Sequence, residues 1–298
     1  MIDQASLGLV CRALAEDLAG YGDITSAWTV PAELPGRAVI EAREELVVCG
    51  LPLAETVLAQ IEPQAAFICL TEDGALVKAG TEVAVIEGSA RGILGAERTM
   101  LNFLIHLSGV ATQSRRFALA VEGTGATVVD TRKTIPGLRA WQKRAVVYGG
   151  CGNHRFGLFD MALVKNNHLE AAGGVREALA RVRAARPYYT KVEVEVESEA
   201  DLREAIACKA DIIMLDNQDL ESLARMVRVA RELRPGVVLE ASGRVGPATV
   251  RAVAETGVDL ISTSALTMGA PPVDLGLTLS VGGRSAAGRE GGADAAGR

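Results

Sequence analysis

The sequence predicts an α/β protein in two parts: a small α+β unit, then an α/β barrel too short to be eightfold. Three observations carry this. From Ala126 onward, six apolar strand-like runs alternate with amphipathic helical segments, the pattern of parallel strands joined by crossover helices. Those six runs fit in roughly 140 residues, whereas a full eightfold barrel typically takes about 200 or more. The first hundred or so residues mix helix and strand without that regular alternation.

Taken in order, Leu7, Val10, Leu14 and Leu18 recur at helical spacing, and Gly20-Tyr21-Gly22-Asp23 breaks the helix. Strands are expected at Ala38–Ala42, Leu46–Cys49, Ala66–Leu70 and Glu82–Ile86, a helix at Leu53–Ile61, and a turn at Lys78-Ala79-Gly80. Leu94 to Val121 reads as a long helical stretch interrupted at Ser108-Gly109. The six later runs are Ala126–Asp130, Met161–Lys165, Lys191–Glu197, Ile212–Asp216, Val237–Ala241 and Leu260–Ser264. Helices are expected between them at Gly174–Ala185, Glu199–Ala207, Leu220–Leu233 and Pro247–Thr256. These elements divide the chain at 1–108, 109–281 (its end returning to the first part) and 282–298. The last stretch is rich in Gly and Ala and has no large apolar side chain, so it is expected to be disordered.

Composition narrows the function. With 31 Lys+Arg against 37 Asp+Glu, a net charge of −6 argues against a general nucleic-acid binder, which needs a basic surface to displace counterions. No stretch approaches the ~20 apolar residues of a membrane span, and the N-terminus, with Asp3, Glu16 and Asp17, does not read as a signal peptide. Cys11, Cys49, Cys69, Cys151 and Cys208 are scattered and form no C-x-x-C pair, which excludes a disulfide framework or a zinc ribbon and points to a reducing, cytoplasmic setting.

The chemistry collects at the carboxyl ends of the six runs, the active face of parallel α/β folds. Asp130-Thr131-Arg132-Lys133, Lys165, the Glu193/Glu195/Glu197 series, Asp216-Asn217, Glu240 with Ser242-Gly243-Arg244, and Ser262 with Ser264 stand there. In Lys191–Glu197, period-two alternation puts three valines on one face and three glutamates on the other. If the valines meet the helices, the glutamates face the barrel interior and need cations or a metal. Lys165 is a natural partner for Glu193 or Glu195 in a buried pair, and Asp216 with a glutamate suits Mg²⁺. Arg98, Arg132, Lys133, His154, Arg155 and Lys165 form a cationic set, His154 and Arg155 arriving on the glycine-rich segment Gly149–Arg155. That loop precedes a strand, so it is no dinucleotide fingerprint. So many cations beside a carboxylate pair call for a polyanionic substrate with a divalent metal.

At these residues the chain resembles the quinolinate phosphoribosyltransferase family, from about Leu14 to Leu277. The resemblance rests on Ala15-Glu16-Asp17 with Gly22–Ser26, Glu97-Arg98-Thr99 with Leu101-Asn102-Phe103, and Leu107-Ser108-Gly109. It continues through Asp130-Thr131-Arg132-Lys133-Thr134 with Pro136-Gly137, Asn153-His154-Arg155, Lys165 with Asn167-His168, Glu193-Val194-Glu195-Val196, Leu215-Asp216-Asn217 and Glu240. It implies an N-terminal α/β sandwich and an incomplete α/β barrel of six or seven strands, in a homodimer or a higher oligomer of dimers. By the same resemblance, Arg98 reaches into the partner's site, and Arg132, His154, Arg155 and Lys165 hold the two carboxylates of quinolinate. Lys133, Glu195 and Asp216 serve phosphoribosyl pyrophosphate and Mg²⁺, with Glu195 and Asp216 as metal ligands. Ser242, Gly243, Arg244 and Ser264, with Lys133, take the phosphate.

The sequence departs from the family pattern in one region. Arg244 stands where a second glycine follows the serine, Ser264 and Met268 replace a glycine and a histidine, Asn166 replaces an acidic residue and Glu197 an aspartate. Backbone approach to a phosphate is easiest at glycine. Two readings follow: a quinolinate phosphoribosyltransferase whose Arg244 grips the 5′-phosphate, or a paralogue that keeps the dicarboxylate pocket and uses another donor or reaction.

Overall fold

The computed structural model describes residues 2–281; the expectation for 282–298 lies outside the described residues. The chain forms two compact units, one of residues up to Gly109 together with those from Pro272 onward, the other Val110–Pro271.

The first unit opens with α1 (Gln4–Leu18), where the Asp3 carboxylate accepts the Ser6 N–H at 2.8 Å and Val10 and Leu14 are buried. The helix stops at Ala19, whose φ of 44° is left-handed. Asp23 caps α2 (Ile24–Thr29) in the same way. Then come β1 (Pro35–Ala42), β2 (Leu46–Val47), α3 (Leu51–Ile61), β3 (Ala66–Cys69), β4 (Leu76–Val77), β5 (Glu82–Ser89) and α4 (Ala90–Ala120). The run Leu46–Cys49 is strand only at its first two residues, paired with β4, because the Cys49 N–H turns instead to the Ser108 Oγ at 2.9 Å. That contact also corrects the expected break in α4, which runs unbroken through Ser108-Gly109. The Ser108 hydroxyl is fully buried and bonds both backbone groups of Cys49, so it does not compete with the helix ladder.

The second unit contains β6 (Thr127–Val129), α5 (Arg139–Tyr148), β7 (Ala162–Val164), α6 (Asn166–Ala172), α7 (Val175–Ala185), β8 (Val192–Val196), α8 (Glu199–Ala207), β9 (Ile212–Asp216), α9 (Leu220–Leu233), β10 (Val238–Ser242), α10 (Val250–Ala254) and β11 (Leu260–Ser262). Its six strands are parallel and lie in the order β6-β11-β10-β9-β8-β7. This is an incomplete barrel, with β6 and β7 at the two edges. Gly152 adds a single parallel bridge beside Val129 of β6. Periodicity misses α5 and α6 for a physical reason. The buried side of α5 mixes Gln142 and Lys143 with Trp141, Ala145 and Val146, and α6 buries none of its residues, so neither shows a clean apolar stripe.

After Pro272 the chain returns to the first unit as β12 (Leu275–Val281), antiparallel to β1 in the sheet β12-β1-β5-β3. Alternate residues of β1, namely Ala38, Ile40 and Ala42, are completely buried, which fixes the register of that sheet.

Candidate active site

The loops that leave the barrel strands enclose a cavity of about 320 Å³ whose charged side chains, Arg132, Lys133, Arg155 and Lys165, are all cationic, with the His154 ring beside them and Leu163 and Met214 as apolar wall. It shares Thr131, Lys133, Lys165, Ser242 and Ser262 with a second cavity of about 570 Å³. The second adds Glu195, Asp216, Asn217, Gly243, Arg244 and Ser264. All but one of the residues expected to bind substrate, phosphate or metal are thus brought together at the carboxyl end of one sheet. Arg98 is the exception: it stands on α4 in the first unit and lines neither cavity.

Each cation is placed by its own local geometry. The Arg132 carbonyl is held by Arg139 at 3.2 Å, while the Arg132 Nε is buried without a partner, a donor that a bound anion would satisfy. Arg155 gives one guanidinium N–H to the Met161 carbonyl at 3.0 Å. Burial and the neighbouring Arg132 charge push Arg155 below its usual value, as expected of two like charges that line the same space. The Lys165 ammonium bonds the Glu195 carboxylate across the neighbouring strands β7 and β8. The lysine side chain is 46% exposed, so this is not the buried pair expected from sequence. β7 ends one residue before it, and the ammonium reaches into the open cavity. Lys133 is exposed, and its carbonyl accepts the Thr267 hydroxyl at 2.8 Å.

The glutamate series divides. Glu193 and Glu195 are buried, whereas Glu197 lies beyond the end of β8, is exposed, and accepts from Asn166. Expecting three inward glutamates therefore overextends the strand by one residue at its carboxyl end.

Glu193 and Glu240 meet at His154, with its Nε2 at 3.1 Å from one carboxylate and 3.4 Å from the other. Their oxygens lack well-directed hydrogen bonds from other groups, and with His154 they lie within 4.8 Å of one another, close enough to suggest a metal site. The other ring nitrogen argues against one. His154 Nδ1 accepts the Arg155 N–H at 2.7 Å, which leaves a proton on Nε2, where a metal would need a lone pair. Burial lowers the imidazole pKa, but hydrogen bonds to Glu193 and Glu240 outweigh it and raise it to about 9. The Arg155 amide opposes a second ring proton on Nδ1. The ring proton therefore sits on Nε2, facing the carboxylates. Glu193 itself is raised, chiefly by burial. His154 lines the cavity, yet both its ring nitrogens are committed inside the protein.

Gly243 has φ +138°, a conformation other residues rarely adopt, and a Cβ there would come within 3.2 Å of the Asn217 Oδ1. Glycine at 243 therefore lets this loop pack closely on Asn217, while Arg244 next to it is exposed and has no hydrogen-bond or ion-pair partner among the described residues. Asp216 accepts from the Asn217 amide at 2.6 Å.

Residues 110–278 match the C-terminal domain of quinolinate phosphoribosyl transferase, and residues 23–108 match its N-terminal domain. The chain belongs to this family. It is 42% identical over 278 residues to the nicotinate-nucleotide pyrophosphorylase (carboxylating) of Mycobacterium leprae, covering 92% of this chain and 97% of that one. It is 40% identical over 266 residues to a probable enzyme of the same name from Synechocystis, covering 89% and 90%. Its structure superposes on the nicotinate-nucleotide pyrophosphorylase of Francisella tularensis with a TM-score of 0.88 at 39% identity, covering 94% of this chain and 98% of the other. Within this family member, sequence reasoning overlooked Lys143. It is a lysine buried among Trp141, Gln142, Ala145 and Val146 on α5, and its partners lie outside that helix.

Proposed function

We propose that the protein transfers phosphoribose from phosphoribosyl pyrophosphate to quinolinate with loss of CO₂, giving nicotinate mononucleotide and pyrophosphate in NAD biosynthesis. The observation that carries this is the paired cavity: a small pocket whose charged side chains are all cationic, opening through shared Lys133 and Lys165 onto a larger one with carboxylates on its wall. A planar dicarboxylate suits the first, which Arg132 and Arg155 both line. A sugar bearing phosphate and pyrophosphate suits the second.

In this reading Arg132, Arg155 and Lys165 bind the two carboxylates, and His154 shapes the pocket from behind. Arg forks match carboxylates bidentately, and Lys165 is a movable point charge between the two cavities. Lys133 and the loop Ser242-Gly243-Arg244, with Ser264, bind phosphate. Pyrophosphate departs as the sugar gains oxocarbenium character, and the Glu195 carboxylate stabilises that charge electrostatically. The pyridine nitrogen then attacks. The adjacent carboxylate then leaves as CO₂, the resulting pyridinium stabilises the electron pair left on the ring carbon, and that carbon takes a proton from water, so no separate nucleophile or general base is required. Glu195 and Asp216 offer hard oxygen donors on one wall, a donor set that fits Mg²⁺ completed by phosphate oxygens and water. Held there, Mg²⁺ would supply charge stabilisation to the leaving pyrophosphate.

We read the enzyme as a cytoplasmic homodimer, or an assembly of dimers, in which Arg98 of one protomer completes the partner's dicarboxylate site. What supports this is that Arg98 belongs to the Glu97-Arg98-Thr99 segment within the family-matching residues 23–108. All five cysteines are free, and no helix among the described residues is long and apolar enough to cross a membrane.

The test is direct. Incubating the protein with quinolinate, phosphoribosyl pyrophosphate and Mg²⁺ should yield nicotinate mononucleotide by chromatography, and chelating the metal should abolish the product. A folded protein that binds quinolinate but makes no product from this donor would favour the paralogue reading.

A further inference from the structure

We propose that Asp130 and Lys143 are positioning residues that hold the segment 152–155 in place, so that Arg155 enters the dicarboxylate pocket in a single orientation. Neither touches the cavity. Asp130 follows β6 and is 0% exposed, and Lys143 sits on α5 at 3%. The Lys143 ammonium bonds the Asp130 carboxylate and donates to the His154 carbonyl at 2.9 Å. The same Asp130 oxygen accepts the His154 N–H at 2.9 Å. The Asn153 amide, oriented so that its NH₂ meets acceptors, donates to the Lys143 carbonyl at 3.0 Å and to the second Asp130 oxygen at 2.8 Å. One buried ion pair therefore satisfies both backbone groups of His154 and the side chain before it, while Gly152 is tied to β6 by its bridge.

The energetics point to geometry rather than stability. A buried ion pair often contributes no more than well-packed apolar residues of the same volume. What an apolar pair does not supply is a charged acceptor for the His154 N–H and a donor for its carbonyl. Those are the bonds that set where the next residue goes, because Arg155 is held again by its own N–H to the His154 ring.

The inference rests on the reading of the cavity as the quinolinate site, and the experiment separates the two. The double variant Asp130→Asn/Lys143→Met removes both charges while keeping volume, so no buried charge is left unpaired. We expect it to fold, with the apparent affinity for quinolinate reduced roughly tenfold to a hundredfold and the KM for phosphoribosyl pyrophosphate unchanged. Amide hydrogen exchange over residues 152–156 should accelerate in the ligand-free protein. Asp130→Asn, which keeps an acceptor for the His154 N–H, should lose less quinolinate affinity than Asp130→Ala. A folded double variant with wild-type exchange in 152–156 overturns the proposal, as does equal loss of affinity for both substrates. A wild-type protein that fails to bind quinolinate overturns the site reading instead, and the exchange measurement then decides the positioning role alone.

Discussion

Arg244 is exposed beside Gly243, at the rim of the cavity that holds Glu195 and Asp216. Its guanidinium is the feature that a glycine at this position would not supply. Arg244→Gly should weaken phosphoribosyl pyrophosphate binding by about tenfold, the lower end expected for a charge-assisted contact at an exposed position, and leave quinolinate affinity unchanged. Isothermal titration with each ligand checks this, and equal affinity for the donor would show the arginine to be a bystander. A second residue argues from pH. Cys151 is buried, its thiol donating to the Ser114 carbonyl at 3.1 Å, and burial pushes its pKa from 9.0 up to about 12. A thiol raised in the folded state contributes stability that is complete below about pH 9 and is lost as pH rises toward 12, at up to about 1.4 kcal/mol per pH unit. Urea unfolding between those pH values should therefore show a shallower decline for Cys151→Ala than for wild type, and parallel declines would refute the assignment. At pH 8 Cys151 should resist alkylation in the folded protein, while the exposed Cys11 is modified.

At the scale of elements, the loops that leave the strands depend on how the next helix begins. β8 carries Glu193 and Glu195, and α8 follows it at once, capped by the Ser198 hydroxyl, which accepts the Asp201 N–H at 3.1 Å. Ser198→Ala should cost about 1 kcal/mol of unfolding free energy, read as a lower denaturation midpoint with an unchanged slope, and leave KM for both substrates intact because the cap faces solvent. A large rise in KM would mean that the cap also sets the glutamates. The glycine-rich segment is explained at the same scale. A Cβ at Gly149 would lie 2.3 Å from the Ala111 carbonyl on α4, and Gly150 has φ +93°, so these glycines serve close packing and a turn. Sequence reading recognised that this segment delivers His154 and Arg155. It did not see that Asp130 and Lys143 anchor it, because the buried side of α5 interleaves Gln142 and Lys143 with Trp141, Ala145 and Val146, which blurs the hydrophobic period.

For the whole molecule, the two units divide the expected site residues unequally. The second unit assembles Arg132, Lys133, Arg155, Lys165, Glu195 and Asp216 around adjoining cavities, and the first holds Arg98. If a dimer shares its sites, mixing an Arg98→Ala protomer with a Lys165→Ala protomer should restore about a quarter of wild-type activity, because random association leaves some dimers with one intact site. Subunit exchange is verified by mass spectrometry. No rescue after verified exchange would show that each site is built from a single chain.

Periodic patterns determined much of this protein by themselves. Six parallel strands, the helices α7, α8 and α9, and the residues at the strand ends were all legible, because side-chain period and strand-end chemistry are local properties of the chain. Tertiary structure decided what local pattern does not encode. Ser108 keeps α4 continuous because its hydroxyl meets Cys49, 59 residues away. Lys165 selects Glu195 and stays half exposed, Glu197 falls outside β8, and His154 turns both ring nitrogens inward to Glu193, Glu240 and Arg155. Each of these outcomes depends on a partner distant in sequence and on whether water can reach the pair. Burial and partner choice arise only when the strands are side by side, so the sequence alone names the charged groups but not which of them hold one another and which await a ligand.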